Sequence, residues 1–115
     1  SDLRKIFTTE ALAEVDVSAD LPSLGGRRVH GTIDRLVIDK AEVLAIDFKS
    51  NVAVPSEVAH CPEGILRQMA AYAEALQQIY PDHKITMAIL WTKTAKLMSL
   101  PDRLLGEALS RADVS

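Results

Sequence analysis

The short polar turn Asp39-Lys40-Ala41-Glu42 separates two segments that read as strands, Arg28 to Ile38 and Val43 to about Ser50. So brief a connection closes as an antiparallel hairpin. If it closes with Ile38 opposite Val43, Asp34 falls directly opposite Asp47. Opposed side chains in an antiparallel pair share a face, with Cβ atoms about 4.5 to 5.5 Å apart, and like charges there repel. Two facing carboxylates require a cation. Strand alternation puts Lys49 on the face of Asp47 and turns Ile46 and Phe48 into the opposite layer. Ile33 and Arg35 flank Asp34 on the other face, and Gly31 leaves open backbone near the cluster where another group can approach closely.

The ordinary reading of an Asp-x-Lys on a strand is a solvated polar face with an ion pair. Against it, Asp47 follows Val43-Leu44-Ala45-Ile46, a nearly continuous apolar run of the kind found in interior strands. A carboxylate buried there needs a partner. Carboxylate and carbonyl oxygens suit Mg2+ or Mn2+ rather than zinc, which favours thiolate and imidazole. Such an ion would stabilise charge on a phosphate under in-line attack and acidify the attacking water, which Lys49 could orient or help deprotonate.

Around this hairpin the chain reads as a mixed α/β sandwich. Val15, Val17 and Ala19 alternate with Asp16, Ser18 and Asp20, predicting a strand over about Ala13 to Asp20 that Pro22 and Gly25-Gly26 break. Asn51 to Pro62 reads as a long loop. Ile65, Met69, Tyr72, Leu76 and Ile79 recur at helical spacing between Glu63 and Tyr80, and Pro81 ends the run. Ile85 to Thr92 suits a buried strand, Lys96 to Leu100 a short edge strand, and Pro101 the first turn of a final helix. Leu3, Ile6 and Phe7 suggest the end of a helix at the start of the chain, as in a fragment of something larger.

A chain of 115 residues has room for one modest core and one domain. Its 48% hydrophobic and 25% charged residues exclude a disordered segment, and no apolar run approaches the roughly 20 residues of a membrane span. One cysteine, Cys61, excludes an internal disulfide and a cysteine-only zinc or iron-sulfur centre within the chain. It reads as a small loop or semi-buried side chain. A cytoplasmic location is the expectation, since the N-terminal residues carry no signal-peptide core. His30, His60 and His83 lack metal-binding spacing and read as loop or strand-end residues. A net charge of -3 argues against a general nucleic-acid binder, so metal ions or other domains would have to offset phosphate charge.

Three ordered segments carry a family resemblance: Gly31-Thr32-Ile33-Asp34-Arg35-Leu36, Val43-Leu44-Ala45-Ile46-Asp47-Phe48-Lys49-Ser50-Asn51 and Arg67-Gln68-Met69-Ala70-Ala71-Tyr72. They resemble the Gly-x-x-Asp-Arg, Asp-Tyr-Lys-Thr and Gln-x-x-x-Tyr motifs of the RecB-like branch of the PD-(D/E)XK nucleases. Ile79 to Pro81, Ala88 to Thr92 and Leu97 to Pro101 also look like the C-terminal nuclease domain of AddA-type helicase-nuclease subunits. The resemblance implies a restriction-endonuclease-like α/β fold, a central mixed sheet flanked by helices, with the N-terminal helix truncated. It implies a Mg2+-dependent DNA exonuclease, with Mn2+ as a substitute, acting on unwound single strands at a double-strand break. Asp34, Asp47 and the backbone carbonyl of Phe48 would hold the metal, Lys49 would assist the water, Gln68 would lie near the site and Tyr72 would support it. Helicase domains of the same full-length chain and an AddB-type subunit would be the partners.

Two departures are mild: Phe48 stands for the commoner tyrosine and Ser50 for threonine. A third is larger, because the family places a histidine or glutamate on a helix upstream of the first strand. Glu10 and Glu14 are the nearest acids, and neither is assigned that role. Two other functions therefore stand beside the first: a catalytically inactive docking module with a nuclease-like fold, and a stand-alone Cas4-type exonuclease. The latter is expected to bring cluster-binding cysteines that this chain lacks.

Overall fold

In the computed structural model, which describes residues 10–50 and 54–113, the turn closes the expected hairpin. Strands β2 (Arg27–Ile38) and β3 (Glu42–Lys49) run antiparallel, with Ile38 opposite Val43. The carboxylate of Asp39 builds the turn: its Oδ1 accepts from the backbone N–H of Ala41 at 2.9 Å and of Glu42 at 2.7 Å. An aspartate does this readily because its short side chain reaches its own backbone two residues on.

The remaining elements follow in the predicted order. Strand β1 (Glu10–Leu21) precedes the hairpin and pairs antiparallel with β2 from Glu10–Ile38 to Leu21–Arg27, with one break at Glu14. A 3-10 turn at Pro22–Leu24 and two left-handed glycines, Gly25 at φ 67 and Gly26 at φ 82, reverse the chain between them. Helix α1 (Glu63–Ile79) carries the chain from β3 to β4 (Lys84–Trp91), which lies parallel to β3. A parallel neighbour requires such a crossover. Strand β5 (Lys96–Leu100) returns antiparallel at the edge, and α2 (Asp102–Asp113) follows, with Pro101 just before its first turn. The described sheet thus has five strands in sequence order, mixed in direction.

Both helices contribute to one hydrophobic cluster, which joins Leu66, Met69, Leu76 and Leu105 to Ile33, Leu36, Val43, Ala45, Ile89 and Trp91. The opposite face carries a smaller cluster of Val37, Leu44, Ile46 and Ala88 that contains no residue of α1 or α2. Among the described residues, the two helices pack against the sheet on the side of the larger cluster. The helix remnant expected at Leu3 to Phe7 lies outside the described residues, as do residues 51–53 of the long loop. The described part of that loop holds a 3-10 turn at Val58–His60. No described helix is long and apolar enough to cross a membrane.

Candidate active site

The pairing of β2 with β3 runs from Ile38–Val43 to Arg35–Ile46 and ends there. The next pair in the same register is Asp34 and Asp47. The two strands part at this point, because β2 continues with β1 alone to Arg27 while β3 continues beside β4. Asp34 bridges the fork: its Oδ2 accepts from the backbone N–H of Phe48 at 2.8 Å. Residues of an extended strand present N–H and C=O on the same edge, so the Phe48 carbonyl also faces the fork rather than β4.

Strict alternation fails at this place. Ile33 and Leu36 both pack in the helix-side core, so the expectation that Ile33 flanks Asp34 on the opposite face is corrected. The cause is a local disturbance between β1 and β2: Ala13 pairs with Arg35 and Val15 with Ile33, but Glu14 and Asp34 between them do not pair. Glu14 has φ 54, a left-handed backbone that costs a β-carbon residue roughly 1 to 2 kcal/mol. Its side chain is exposed.

Asp47 alternates with Val43 and Ala45, both in the helix-side core, and its side chain is only 15% exposed. Lys49, 25% exposed, places Nζ 3.0 Å from Asp47 Oδ2. That is an ion-pair distance, so the ammonium is the charged neighbour of the buried Oδ2, although its approach is poorly aligned for a hydrogen bond. Burial pushes the Asp47 carboxyl above its usual range; Lys49 pulls it down, and a hydrogen bond and charge repulsion from Asp34 push it further up. Asp34 thus lies near enough across the fork to act on the ionisation of Asp47.

Gln68 and Tyr72 share one face of α1, and Gln68 Nε2 donates to the Tyr72 hydroxyl at 3.2 Å. Tyr72 is 7% exposed and packs over Gly31, three residues before Asp34 on β2. Open backbone at Gly31 was legible in the sequence, but the group that fills it was not. Arg35 has its Nε buried without a hydrogen-bond partner among the described residues. Cys61 is buried rather than half-exposed, its Sγ 3.7 Å from the Met98 sulfur, and burial raises its thiol pKa.

The donor set fits a hard divalent cation. Asp47 Oδ2 lies in a low-exposure site with Lys49 as its one charged neighbour, Asp34 acts on it across the fork, and the Phe48 carbonyl faces the same fork. Oxygen donors of this kind, completed by water and substrate phosphate, suit Mg2+ or Mn2+. Among the described residues no group of three or more acids, histidines or cysteines comes together as a metal cage.

Comparison with known proteins agrees with this geometry. No curated protein sequence matches the chain. Among solved structures, one described as the crystal structure of SSO0001 superposes with a TM-score of 0.51 at 12% identity, over 94% of this chain and 54% of that one. The chain thus spans about half the length of that protein, and the likeness is one of fold. The family model of the PD-(D/E)XK nuclease superfamily matches residues 2–111. PD-(D/E)XK nucleases generally use divalent metal ions. With a mixed α/β sheet, ordered motifs and a family match over nearly its whole length, the chain belongs to the PD-(D/E)XK nuclease superfamily.

Proposed function

We propose that this chain is the nuclease part of a RecB- or AddA-type helicase-nuclease, hydrolysing phosphodiester bonds of unwound DNA during double-strand break end processing. The observation that carries the reading is the fork itself, where Asp34, held by the Phe48 N–H, acts on a largely buried Asp47 that is ion-paired with Lys49. A surface ion pair needs no such arrangement, whereas a metal-dependent hydrolase does.

In this reading Asp34, Asp47 and the Phe48 carbonyl hold Mg2+ or Mn2+. The bound ion would supply charge stabilisation for the scissile phosphate and a lowered pKa for water. The chain's own groups do the rest. The bond from Phe48 N–H fixes the Asp34 carboxylate at the fork, and the packing of β3 against α1 limits water around Asp47. Lys49, no longer needed to neutralise Asp47 once a cation is bound, is free to donate a hydrogen bond that orients the attacking water. Gln68 stands on the helix that covers this face.

Helicase domains of a longer chain, an AddB-type subunit and a cytoplasmic setting go with the reading, and motor domains would explain how an acidic chain is fed its substrate. A docking module without catalysis is the second reading, favoured by the absence of a third acidic or histidine ligand among the described residues. The two separate in one assay: digestion of end-labelled single-stranded DNA with Mg2+, Mn2+ or EDTA. Metal-dependent release of nucleotides supports the nuclease. No cleavage with either ion, by a preparation that binds a partner subunit, supports the docking module.

A further inference from the structure

We propose that Gly31 is a positioning residue of the carboxylate site: its missing side chain is a slot that seats the Tyr72 phenol, and the seated phenol holds the Gln68 amide beside the strand that carries Asp34. The effect on rate rests on the nuclease reading above; the geometry does not.

Glycines within strands are usually explained by backbone conformation, and that explanation fails at this position. Gly31 lies within β2, paired with Val17, and is not among the residues with positive φ. Its backbone accepts any L-residue. Space decides instead, because a β-carbon at residue 31 would coincide with the hydroxyl and ring edge of Tyr72. Those atoms belong to a buried ring on a helix, not to the free end of a flexible chain. Even one methyl group would displace the phenol or lift α1 off β2.

What depends on the phenol's position is the amide of Gln68. Tyr72 and Gln68 lie one helical turn apart, and the hydroxyl accepts the Gln68 N–H at 3.2 Å. The hydroxyl rests against the backbone of β2, which carries Asp34 three residues later, at the point where pairing with β3 stops. The bond thereby refers the amide to the strand rather than to the helix alone. Tyr72 acts through Gln68, as a positioning residue, and Gly31 acts through Tyr72.

The test uses the full chain, with three variants and readouts of fold, amide geometry and rate. Tyr72→Phe leaves the ring in the slot and removes only the acceptor. It should melt within about 2 °C of the parent. In nitrogen-proton spectra it should lose the slowed exchange of the Gln68 side-chain amide, and it should cleave single-stranded DNA about five- to tenfold more slowly at unchanged KM, the worth of one hydrogen bond. Gly31→Ala should melt lower. Gly31→Ala with Tyr72→Leu, which vacates the slot for the new methyl, should recover melting temperature without recovering rate. Unchanged Gln68 amide exchange in Tyr72→Phe would overturn the proposal, as would a double variant in which rate returns together with melting temperature. A parent that cleaves nothing with any divalent ion sinks the nuclease reading, and the amide exchange then decides the positioning claim by itself.

Discussion

The main-chain N–H of Phe48 donates to the side-chain carboxylate of Asp34 at 2.8 Å, one step beyond the last backbone pair of β2 and β3. Asp34 therefore continues the sheet with a side chain where the backbone has departed. Asp47, its neighbour across the fork, has no backbone donor of this kind on its Oδ2 and is held by the Lys49 ion pair in a site only 15% exposed. The two aspartates are not equivalent, and the metal-free protein should reveal it.

Asp34→Ala removes a hydrogen-bond acceptor and should destabilise the metal-free chain by about 1 kcal/mol. Asp47→Asn removes a charge that burial disfavours and should melt higher than the parent at pH 7. Both should lose Mn2+ binding in calorimetry if, as proposed, each supplies a ligand. Equal melting shifts in the same direction would contradict the inequivalence, and retained Mn2+ affinity in either variant would remove that residue from the site.

The raised pKa of Asp47 also fixes the sign of a pH dependence. The folded state holds the proton to higher pH than the ordinary aspartate value of 3.8. Protonation of this group therefore favours folding, and its contribution is complete below 3.8. That contribution is lost as pH rises through the folded-state value. Melting of the metal-free parent, minus that of Asp47→Asn, should fall with rising pH across this window. In parallel, Mn2+ affinity should weaken on acidification at a pH above the one expected for an unperturbed aspartate. A difference curve that is flat or rises would show that Lys49 outweighs burial.

Much of the fold was legible because local signals agreed with it. The turn at Asp39 fixed the register of β2 on β3, and Pro81 and Pro101 marked the end of α1 and the start of α2. That register, continued by one pair, brings Asp34 to Asp47, where the two strands part. Two features did not follow. Alternation assumes an undisturbed ladder, so the disturbance at Glu14, which puts Ile33 and Leu36 in one core, leaves no periodic trace. The seating of Tyr72 over Gly31 joins residues 41 positions apart through helix packing, which periodicity along either element does not encode. The left-handed Glu14 offers a direct check on the first: Glu14→Gly should raise stability by up to about 1 kcal/mol in denaturant titrations. A clear loss would mean that its side chain contributes more than its backbone costs.

With a net charge of -3, the isolated chain should bind single-stranded DNA weakly and with a shallow dependence on salt, because few cations are available to displace phosphate counterions. Fluorescence anisotropy across a salt series measures the slope. Submicromolar binding without metal, steeply lost as salt rises, would reveal a basic face and weaken the case for motor domains as the source of substrate.

Lys49 offers the most direct test of the account, since its ammonium sits 3.0 Å from an aspartate oxygen that a cation would claim. If it orients the attacking water, its contribution falls mainly in the transition state and shows in rate rather than in binding. The measurement is cleavage of single-stranded DNA by parent and Lys49→Ala in the full-length protein, with Mn2+ and DNA affinities taken on the same preparations. The account predicts metal-dependent cleavage by the parent, near-parental affinities in the variant, and loss of cleavage by at least about a hundredfold, the usual scale for a positioned acid-base group. Equal cleavage by both proteins would contradict it and remove Lys49 from the chemistry.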